Sequence, residues 1–213
     1  MIGWQGFAFT LMKNPHLTFA DVGSPRLSGH ARSTTDTLTL TAGGADIWEA
    51  RDEFHFAYTP VAGDFEFTAR IDSLGMADVY TKAGLMGRAS LEADAAHVCF
   101  FSFGDNQPRN NNNGGIEFQS RPEDGGTCAA TYPPLPLSAE PDFPVEFPNA
   151  WLQLARQGDT FICRFSQDGV HWKTYTKHQQ ALPVSLLVGL AVTSHHVDQR
   201  VKVVFSQLAL QVA

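Results

Sequence analysis

Alternation of polar and apolar residues with a period of two is the feature of this sequence that most limits its fold. It is clearest over residues 64–72, which read Asp-Phe-Glu-Phe-Thr-Ala-Arg-Ile-Asp. Successive side chains of an extended strand point to opposite faces. The alternation therefore predicts a strand that buries its apolar side chains, from Phe65 to Ile71, on one face. Residues 54–58 are predicted to form its hairpin partner, connected through residues 60–63.

Similar short strands recur along the chain, separated by turn signals such as Gly158-Asp159 and Asp168-Gly169. The other predicted strands are residues 37–41, 82–91, 97–103, 115–121, 127–132, 151–156, 160–165, 172–176, 186–194 and 201–212. About a dozen short strands without an amphipathic helix predict an all-β fold, a two-sheet antiparallel β-sandwich of the jelly-roll type. The chain has 213 residues, of which 43% are hydrophobic, so we expect residues 1–213 to form a single domain. The first 35 residues carry no assignment beyond an outer strand.

Charge and cysteine content exclude several classes of function. The formal net charge is -7, and no run of Lys or Arg occurs, so we expect no binding to nucleic acid or to an anionic membrane surface. Cys99, Cys128 and Cys163 form no CxxC pair, and Cys99 and Cys163, which lie inside apolar strand patterns, are predicted to be reduced, buried thiols. The N-terminus lacks the pattern of a secretory signal, and no apolar run has the length of a membrane span. A cytoplasmic location is expected.

Seven segments spread over residues 40–212 form a collinear set of motifs. They are Gly44–Trp48, Asp52–Phe56, Gly63–Arg70, Lys82–Arg88, Trp151–Arg156, Ser166–Gly169 and Val188–His195. Together they resemble a family of concanavalin A-like lectin/glucanase domains, the domain of unknown function 1349, which includes the fungal regulation-of-enolase protein. The resemblance implies a concanavalin A-like jelly roll but supplies no agreed activity. Related sandwiches bind sugars, hydrolyse glucans or act as accessory modules, and fold alone does not transfer function.

Three predicted strands carry polar residues on one face each. If these faces belong to one sheet surface, they form a polar concave face, where Gly189 and Ala191 would leave room for a ligand. The candidate ligand-binding residues are Lys82, Arg88, Glu117, Gln119, Arg121, His195 and Trp48. The alternative is a solvated sheet surface with cross-strand ion pairs.

Trp48 stands among charged residues, which allows two interpretations. An exposed indole beside carboxylates such as Asp46 and Asp52 would suit sugar stacking and hydrogen bonding to hydroxyls. Alternatively, Trp48 packs in the core and the acidic residues cap a turn.

The sequence lacks the common catalytic and metal-binding motifs. Glucanases of the resembled fold carry Glu-x-Asp-x-x-Glu on one strand, and this motif does not occur here. There is no HExxH and no His/Cys cluster with zinc spacing, and the adjacent His195 and His196 would point to opposite faces of a strand. We expect no metal and no cofactor.

Three functions are compatible with these residues. The first is a non-catalytic carbohydrate-binding module that uses the polar face. The second is an enzyme acting on a sugar or sugar derivative, with Glu117 or Glu66 as acid or base and His195 as a partner. The third is a regulatory protein whose protein partner binds an apolar patch within residues 133–147. A homodimer through an edge strand is also compatible with the sequence.

Overall fold

The computed structural model describes residues 10–107, 115–131 and 142–213. These residues form two large antiparallel sheets, and none of them lies in a helix. The predicted all-β sandwich is therefore confirmed. None of these ranges provides a helix with the length and apolar character that crossing a membrane requires.

We call the larger sheet the back sheet, which contains eight strands within the described residues. In spatial order they are β15 (Lys173–Gln179), β14 (Thr160–Ser166), β13 (Ala150–Gln157), β8 (Phe65–Leu74), β17 (Val201–Val212), β4 (Thr37–Ala42) and β3 (His30–Ser33), with β1 (Thr10–Lys13) paired to the C-terminal part of β17. Strands β13, β14 and β15 form the meander that the Gly-Asp and Asp-Gly turns predict.

The other sheet is called the front sheet. In spatial order its described strands are β12 (Ala129–Thr131), β11 (Ile116–Arg121), β10 (His97–Phe103), β9 (Lys82–Arg88), β16 (Ser185–Thr193), β7 (Phe54–Ala62) and β2 (Thr18–Val22). A separate two-stranded hairpin is formed by β5 (Ile47–Trp48) and β6 (Arg51–Asp52). This hairpin and the front sheet together build the site described below.

The predicted hairpin between residues 54–58 and 64–72 is wrong. β7 pairs with β16 and β2 in the front sheet, whereas β8 pairs with β13 and β17 in the back sheet. The chain changes sheets near Gly63, which has a φ of 80°. Period-two alternation reports which face of a strand is buried, but it does not report the neighbouring strand.

The sheets pack face to face around one large apolar core. Phe65, Phe67, Ala69 and Ile71 are buried in it, as their alternation predicts. The front sheet contributes the residues that alternate with its polar positions, among them Leu85. All three cysteines are buried and free, as predicted for Cys99 and Cys163.

Gly189 has a packing role that differs from the predicted one. A Cβ atom at this position would lie 1.9 Å from the carbonyl oxygen of Ala57 on the neighbouring strand. The missing side chain thus makes room for the backbone of β7, and it does not make room for a ligand. Gly84 has the same function towards β10, because its Cβ would lie 2.2 Å from the carbonyl oxygen of Phe100.

Replacing Gly189→Ala is expected to lower the free energy of unfolding by roughly 3 kcal/mol, since β7 must move to accommodate the methyl group. Urea denaturation measures this loss. Gly87→Ala is the matched control on β9, where the nearest atom to a Cβ is 3.6 Å away, and it should stay within about 1 kcal/mol of the parent protein. Equal unfolding midpoints for the two variants would contradict the close approach of β16 and β7.

Candidate functional site

The three polar strand faces predicted from the sequence lie on one surface. β9 pairs with β10 and β16, and β10 pairs with β11. The register places Arg88, His97 and Arg121 side by side across three strands, and it places Lys82 next to Phe103 at the other end of the β9–β10 pair. This surface faces away from the back sheet, and we call it the outer face.

Residues 43–53, which we call the covering segment, lie against part of the outer face. The segment contains the β5–β6 hairpin and buries Ile47 in a second apolar cluster. The other buried members of this cluster are Val22, Phe54, Phe56, Met86, Cys99, Phe101 and Ala191. Ala191 is therefore packed within the protein, which corrects the prediction that it leaves room for a ligand.

The covering segment is tied to the end of β16 through Gly44. Thr193 Oγ1 and Ser194 Oγ donate hydrogen bonds to its carbonyl oxygen at 3.1 and 3.2 Å. Gly44 has a φ of 116°, and a Cβ there would lie 2.0 Å from the carbonyl oxygen of Glu53. Only glycine fits this backbone conformation and this close approach.

The segment delivers Asp52 to a buried ion network. Its carboxylate accepts two hydrogen bonds from Arg121, at 2.6 and 2.8 Å, and lies 3.2 Å from Arg88 Nη1. All three side chains are fully buried. His97 lies 3.6 Å from the same carboxylate. Burial and then the two nearby arginines lower the pKa of His97 well below its ordinary value of 6.5, so its ring is neutral.

Both arginines donate further hydrogen bonds in addition to their contacts with Asp52. Arg121 also donates to backbone carbonyls of the covering segment, and Arg88 donates to Ser90 and Glu92. The structure thus places these two candidate residues in cross-strand ion pairs beneath the surface. One interpretation of the sequence placed Asp52 beside an exposed indole, and the other had it cap a turn. In the structure Asp52 does neither.

Beyond the network, the outer face opens into a cleft of about 590 Å³. Its lining includes five of the seven candidate residues: Trp48, Lys82, Glu117, Gln119 and His195. The structure brings them together from four separate segments of chain. Asp46 also lines the cleft, as do Tyr80, Phe103 and residues 128–130, none of which was among the seven candidate ligand-binding residues.

Asp46 connects two basic side chains that line the cleft, those of Lys82 and His195. One carboxylate oxygen lies 2.8 Å from Lys82 Nζ and the other lies 3.2 Å from His195 Nε2. Burial raises the pKa of Asp46, but the hydrogen bond from His195 and the Lys82 ammonium outweigh it and bring the pKa down to about 2. Asp46 is therefore ionised throughout the neutral pH range.

His195 lies between two carboxylates. Its Nδ1 is 3.1 Å from Asp78 Oδ1, although the contact lacks the alignment of a hydrogen bond. The hydrogen bond to Asp46 raises the pKa of His195 above 6.5, against the effect of burial. Tyr80 completes this wall, with its ring centroid 5.3 Å from that of His195.

Gln119 has one polar atom without a partner. Its Nε2 donates to the carboxylate of Glu117, and both side chains are 1% exposed. Its Oε1 is buried and accepts no hydrogen bond. Because buried polar atoms are nearly always hydrogen-bonded, this oxygen is an unusual feature of the cleft wall.

Other predicted functional features lie elsewhere. Glu66 projects from β8 of the back sheet, where it lies 3.4 Å from Arg164, so the structure does not bring it to His195. Phe143, from the predicted apolar patch, is buried in the core, and residues 132–141 of that patch lie outside the described residues. In the described part of the chain, no three His, Cys, Asp or Glu side chains are grouped to hold a metal ion.

Comparisons with known proteins agree on the architecture. The family model described as "Protein of unknown function (DUF1349)" matches residues 14–212. No curated protein matches the sequence. A functionally unknown protein from Saccharomyces cerevisiae has a similar solved structure, with a TM-score of 0.67 and 16% identity over 93% of this chain and 97% of that chain.

Two sugar-binding proteins have similar structures. The carbohydrate binding module CBM66 from Bacillus subtilis has a TM-score of 0.56 and 14% identity, with 89% of this chain and 92% of that chain covered. The metal-free lectin I-B4 from Griffonia simplicifolia has a TM-score of 0.52 and 10% identity, with 95% and 98% covered. At these identities the similarity shows the fold alone, and it confirms the concanavalin A-like jelly roll.

Replacing Asp52→Asn should lower the free energy of unfolding by roughly 3–5 kcal/mol, because two buried arginines lose their counter-charge. Chemical denaturation at neutral pH measures the loss. Asp198→Asn is the control, since its pair with Arg26 is solvent-exposed and should contribute about 1 kcal/mol or less. A small effect of Asp52→Asn would show that the network does not hold the covering segment.

The raised pKa of His195 predicts a pH-dependent stability. A group with a higher pKa in the folded state stabilises the protein below its unfolded pKa of about 6.5 and loses this effect as the pH rises through the folded value. His195→Asn should therefore lower the free energy of unfolding more at pH 5.5 than at pH 8.5, as measured by urea denaturation. His196→Asn is the control, because that ring contacts Asp198 instead of Asp46. A His195→Asn effect that is equal at both pH values would contradict the ion pair with Asp46.

Proposed function

The chain belongs to the DUF1349 family of proteins of unknown function, and we propose that this member is a non-catalytic carbohydrate-binding protein. In this proposal the sugar occupies the cleft on the outer face. Trp48, Lys82, Glu117, Gln119 and His195 form its walls.

The observation that carries the proposal is the unpartnered Oε1 of Gln119. An unsatisfied buried polar atom costs about 1–3 kcal/mol. Because this oxygen is buried, the Gln119 side chain must turn towards the cleft before a sugar hydroxyl can donate a hydrogen bond to it. Binding a hydroxyl-bearing ligand would thus remove a cost that the protein has in its free state.

The shape and lining of the cleft suit a ligand of sugar size. Its volume of about 590 Å³ lies within the usual range for small-molecule sites. Trp48 and Tyr80 supply aromatic surface next to the polar groups, so apolar faces of a sugar ring can pack while its hydroxyls are hydrogen-bonded. The fold shared with a carbohydrate binding module and a lectin supports this class of ligand.

A non-catalytic role is favoured over hydrolysis by the state of two carboxylates, those of Asp46 and Glu66, whereas Glu117 lies on the cleft wall and accepts a hydrogen bond from Gln119. A glycosidase needs one carboxylic acid that is protonated near neutral pH. Asp46 has a pKa of about 2 and is held by two basic side chains, so it does not serve as a general acid. Glu66 lies on the back sheet, away from the cleft.

The protein-partner alternative has less support among the described residues. Phe143 is 6% exposed and packs against Phe165 and Tyr175. It therefore contributes to the core of the sandwich, and the segment around it offers no exposed aromatic surface at this position.

The proposal predicts that Gln119→Leu weakens sugar binding at least tenfold, because the hydroxyl then loses its acceptor. A panel of neutral mono- and oligosaccharides is screened by thermal shift with the parent protein, and binding is quantified by calorimetry. A sugar at a hundredfold excess over its Kd stabilises the folded state by about 2.7 kcal/mol. The ligand-free Gln119→Leu variant loses an unsatisfied polar atom and also the hydrogen bond from Nε2 to Glu117, so its free energy of unfolding should stay within about 2 kcal/mol of that of the parent.

Gln153→Leu is the matched control. Gln153 is also a mostly buried strand glutamine, but it lies on the back sheet and contacts Thr68 and Arg164. It should leave sugar affinity unchanged. A panel without any stabilising sugar would overturn the proposed function, and equal sugar affinities of the Gln119→Leu variant and the parent would overturn the site.

A further inference from the structure

His195 is the point at which two separate segments of chain meet in the cleft. Its Nε2 lies 3.2 Å from Asp46 of the covering segment, and its Nδ1 lies 3.1 Å from Asp78 of residues 75–81, which we call the β8–β9 loop. Both segments line the cleft, the loop through Tyr80. The imidazole ring therefore joins two walls of the proposed site.

A histidine between two carboxylates suits both of them only when it is protonated. The imidazolium carries a positive charge and an N–H on each ring nitrogen, so it attracts Asp46 and Asp78 at once. The neutral ring has a single N–H, and its other nitrogen then directs a lone pair at a carboxylate. The hydrogen bond to Asp46 raises the pKa of His195 above its ordinary value of 6.5, and the charge of Asp78 acts in the same direction.

Other titratable groups of the described residues lie near His195 or line the same cleft. They are Tyr80 of the β8–β9 loop, Lys82 of β9, Glu117 of β11, Cys128 before β12, and His196, which is next in the chain. Asp46 has a pKa of about 2, and burial holds the pKa of Cys128 at about 11, so neither changes charge near neutral pH. The ammonium group of Lys82 lies 2.8 Å from Asp46 and opposes the protonation of His195. The charge of the imidazole between the two walls is expected to change in the neutral range.

The β8–β9 loop connects Asp78 directly to Tyr80. The carboxylate oxygen of Asp78 that faces His195 also accepts the backbone N–H of Tyr80 at 2.8 Å. Thr81 Oγ1 accepts the backbone N–H of Asp78 at 2.9 Å and donates to the carbonyl oxygen of Ser194 at 2.7 Å. The ring centroids of Tyr80 and His195 are 5.3 Å apart. The carboxylate that meets His195 thus also fixes the loop that carries Tyr80 to the cleft.

The backbone of His195 supports a functional role for this junction. Its φ is 53°, in the left-handed region that residues other than glycine seldom adopt. The hydroxyl of Ser194 holds the turn by donating to the carbonyl oxygen of His196 at 2.8 Å. Residues with such a backbone conformation persist where the surrounding structure holds them, and they are concentrated at binding sites and switch regions.

We propose that protonation of His195 regulates the cleft by clamping the covering segment to the β8–β9 loop, so that sugars bind more tightly in mildly acidic than in mildly alkaline solution. This inference rests on the proposed carbohydrate-binding function and gives the regulation of the same site. The clamp is complete below the unfolded histidine pKa of about 6.5, and it is lost as the pH rises through the folded-state value. The two walls are then less firmly held, and a sugar has to order them as it binds.

Hydrogen exchange of the ligand-free protein tests the clamp without a sugar or a variant. Amide protection factors, which correct for the direct effect of pH on exchange, are compared at about pH 5.5 and about pH 8.5. The reporters are the hydrogen-bonded amides of Tyr80 and Thr81 in the loop and of Glu53 in the covering segment. Their protection should fall at least about threefold at the higher pH. The amide of Gly158 in the β13–β14 turn, which also donates to a carboxylate, should keep its protection.

The effect on the ligand is measured with the same neutral sugars that test the proposed function. Calorimetric titrations give the dissociation constants at both pH values and at one ionic strength, so that salt screening is the same. We expect each sugar that binds to do so at least about threefold more weakly at the higher pH, because a smaller fraction of the protein then has both walls in place.

Asp78→Asn removes the carboxylate that the lone pair of the neutral ring would face. The amide is uncharged, keeps an acceptor for the backbone N–H of Tyr80 and can present an N–H to His195 Nδ1. The ratio of the two dissociation constants should therefore fall towards one. Asp168→Asn is the matched control, because it removes the carboxylate of an exposed pair with His171, and it should keep the ratio of the parent protein. A thermal melt of each variant establishes that it is folded at both pH values.

The outcomes separate the two proposals. Lower protection and weaker binding at the higher pH, both absent from the Asp78→Asn variant, support the clamp. Equal protection of the reporter amides at the two pH values overturns the clamp, and a sugar affinity that does not change with pH overturns the regulation. Either result leaves the carbohydrate-binding function in place. The absence of binding by every sugar at both pH values overturns the proposed function, and the regulation is then rejected with it.

Discussion

The outer face of the front sheet depends on the carboxylate of Asp52. Arg88 and Arg121 are fully buried on that face, and without Asp52 two guanidinium groups would lack a counter-charge in the protein interior. Asp52 can reach them only because residues 43–53 lie against the face. The same short segment carries Asp46 and Trp48 to the cleft. Asp52, which holds the segment in place, and Asp46 and Trp48, which line the cleft, thus belong to one short stretch of chain.

A buried ion network is not by itself evidence of a net gain in stability, since desolvation offsets much of the attraction. Its clearest consequence in this protein is that it holds the covering segment in place. Two hydrogen bonds from Arg121 and the contact with Arg88 fix the position of the Asp52 carboxylate, and with it the position of the covering segment. Gly44 fixes the entrance to the segment by a conformation that only glycine adopts readily. The network and Gly44 leave little freedom for Asp46, which lies between them along the chain, and this arrangement preorganises the cleft.

Much of this architecture follows from the sequence. Period-two alternation predicts most strands and their buried faces, and it groups Lys82, Glu117 and Gln119 on the polar side of their strands. Alternation cannot predict which strands are neighbours, so the hairpin between residues 54–58 and 64–72 was wrong. Nor can it predict that residues 43–53 cover one end of the outer face. That long-range placement alone separates Arg88, which is enclosed, from Lys82, which lines the cleft.

The contrast between the two ends of the outer face gives the cleft its functional meaning. At the Arg88 end, each charged group has a partner, so the arrangement is complete without a ligand. At the cleft, Gln119 is equally buried but keeps one acceptor without a donor. Leucine at this position would avoid that cost in the free protein, and it would also remove the hydrogen bond to Glu117. The unmet acceptor of this amide is satisfied only when a donor enters the cleft, and a sugar hydroxyl is a donor of this kind.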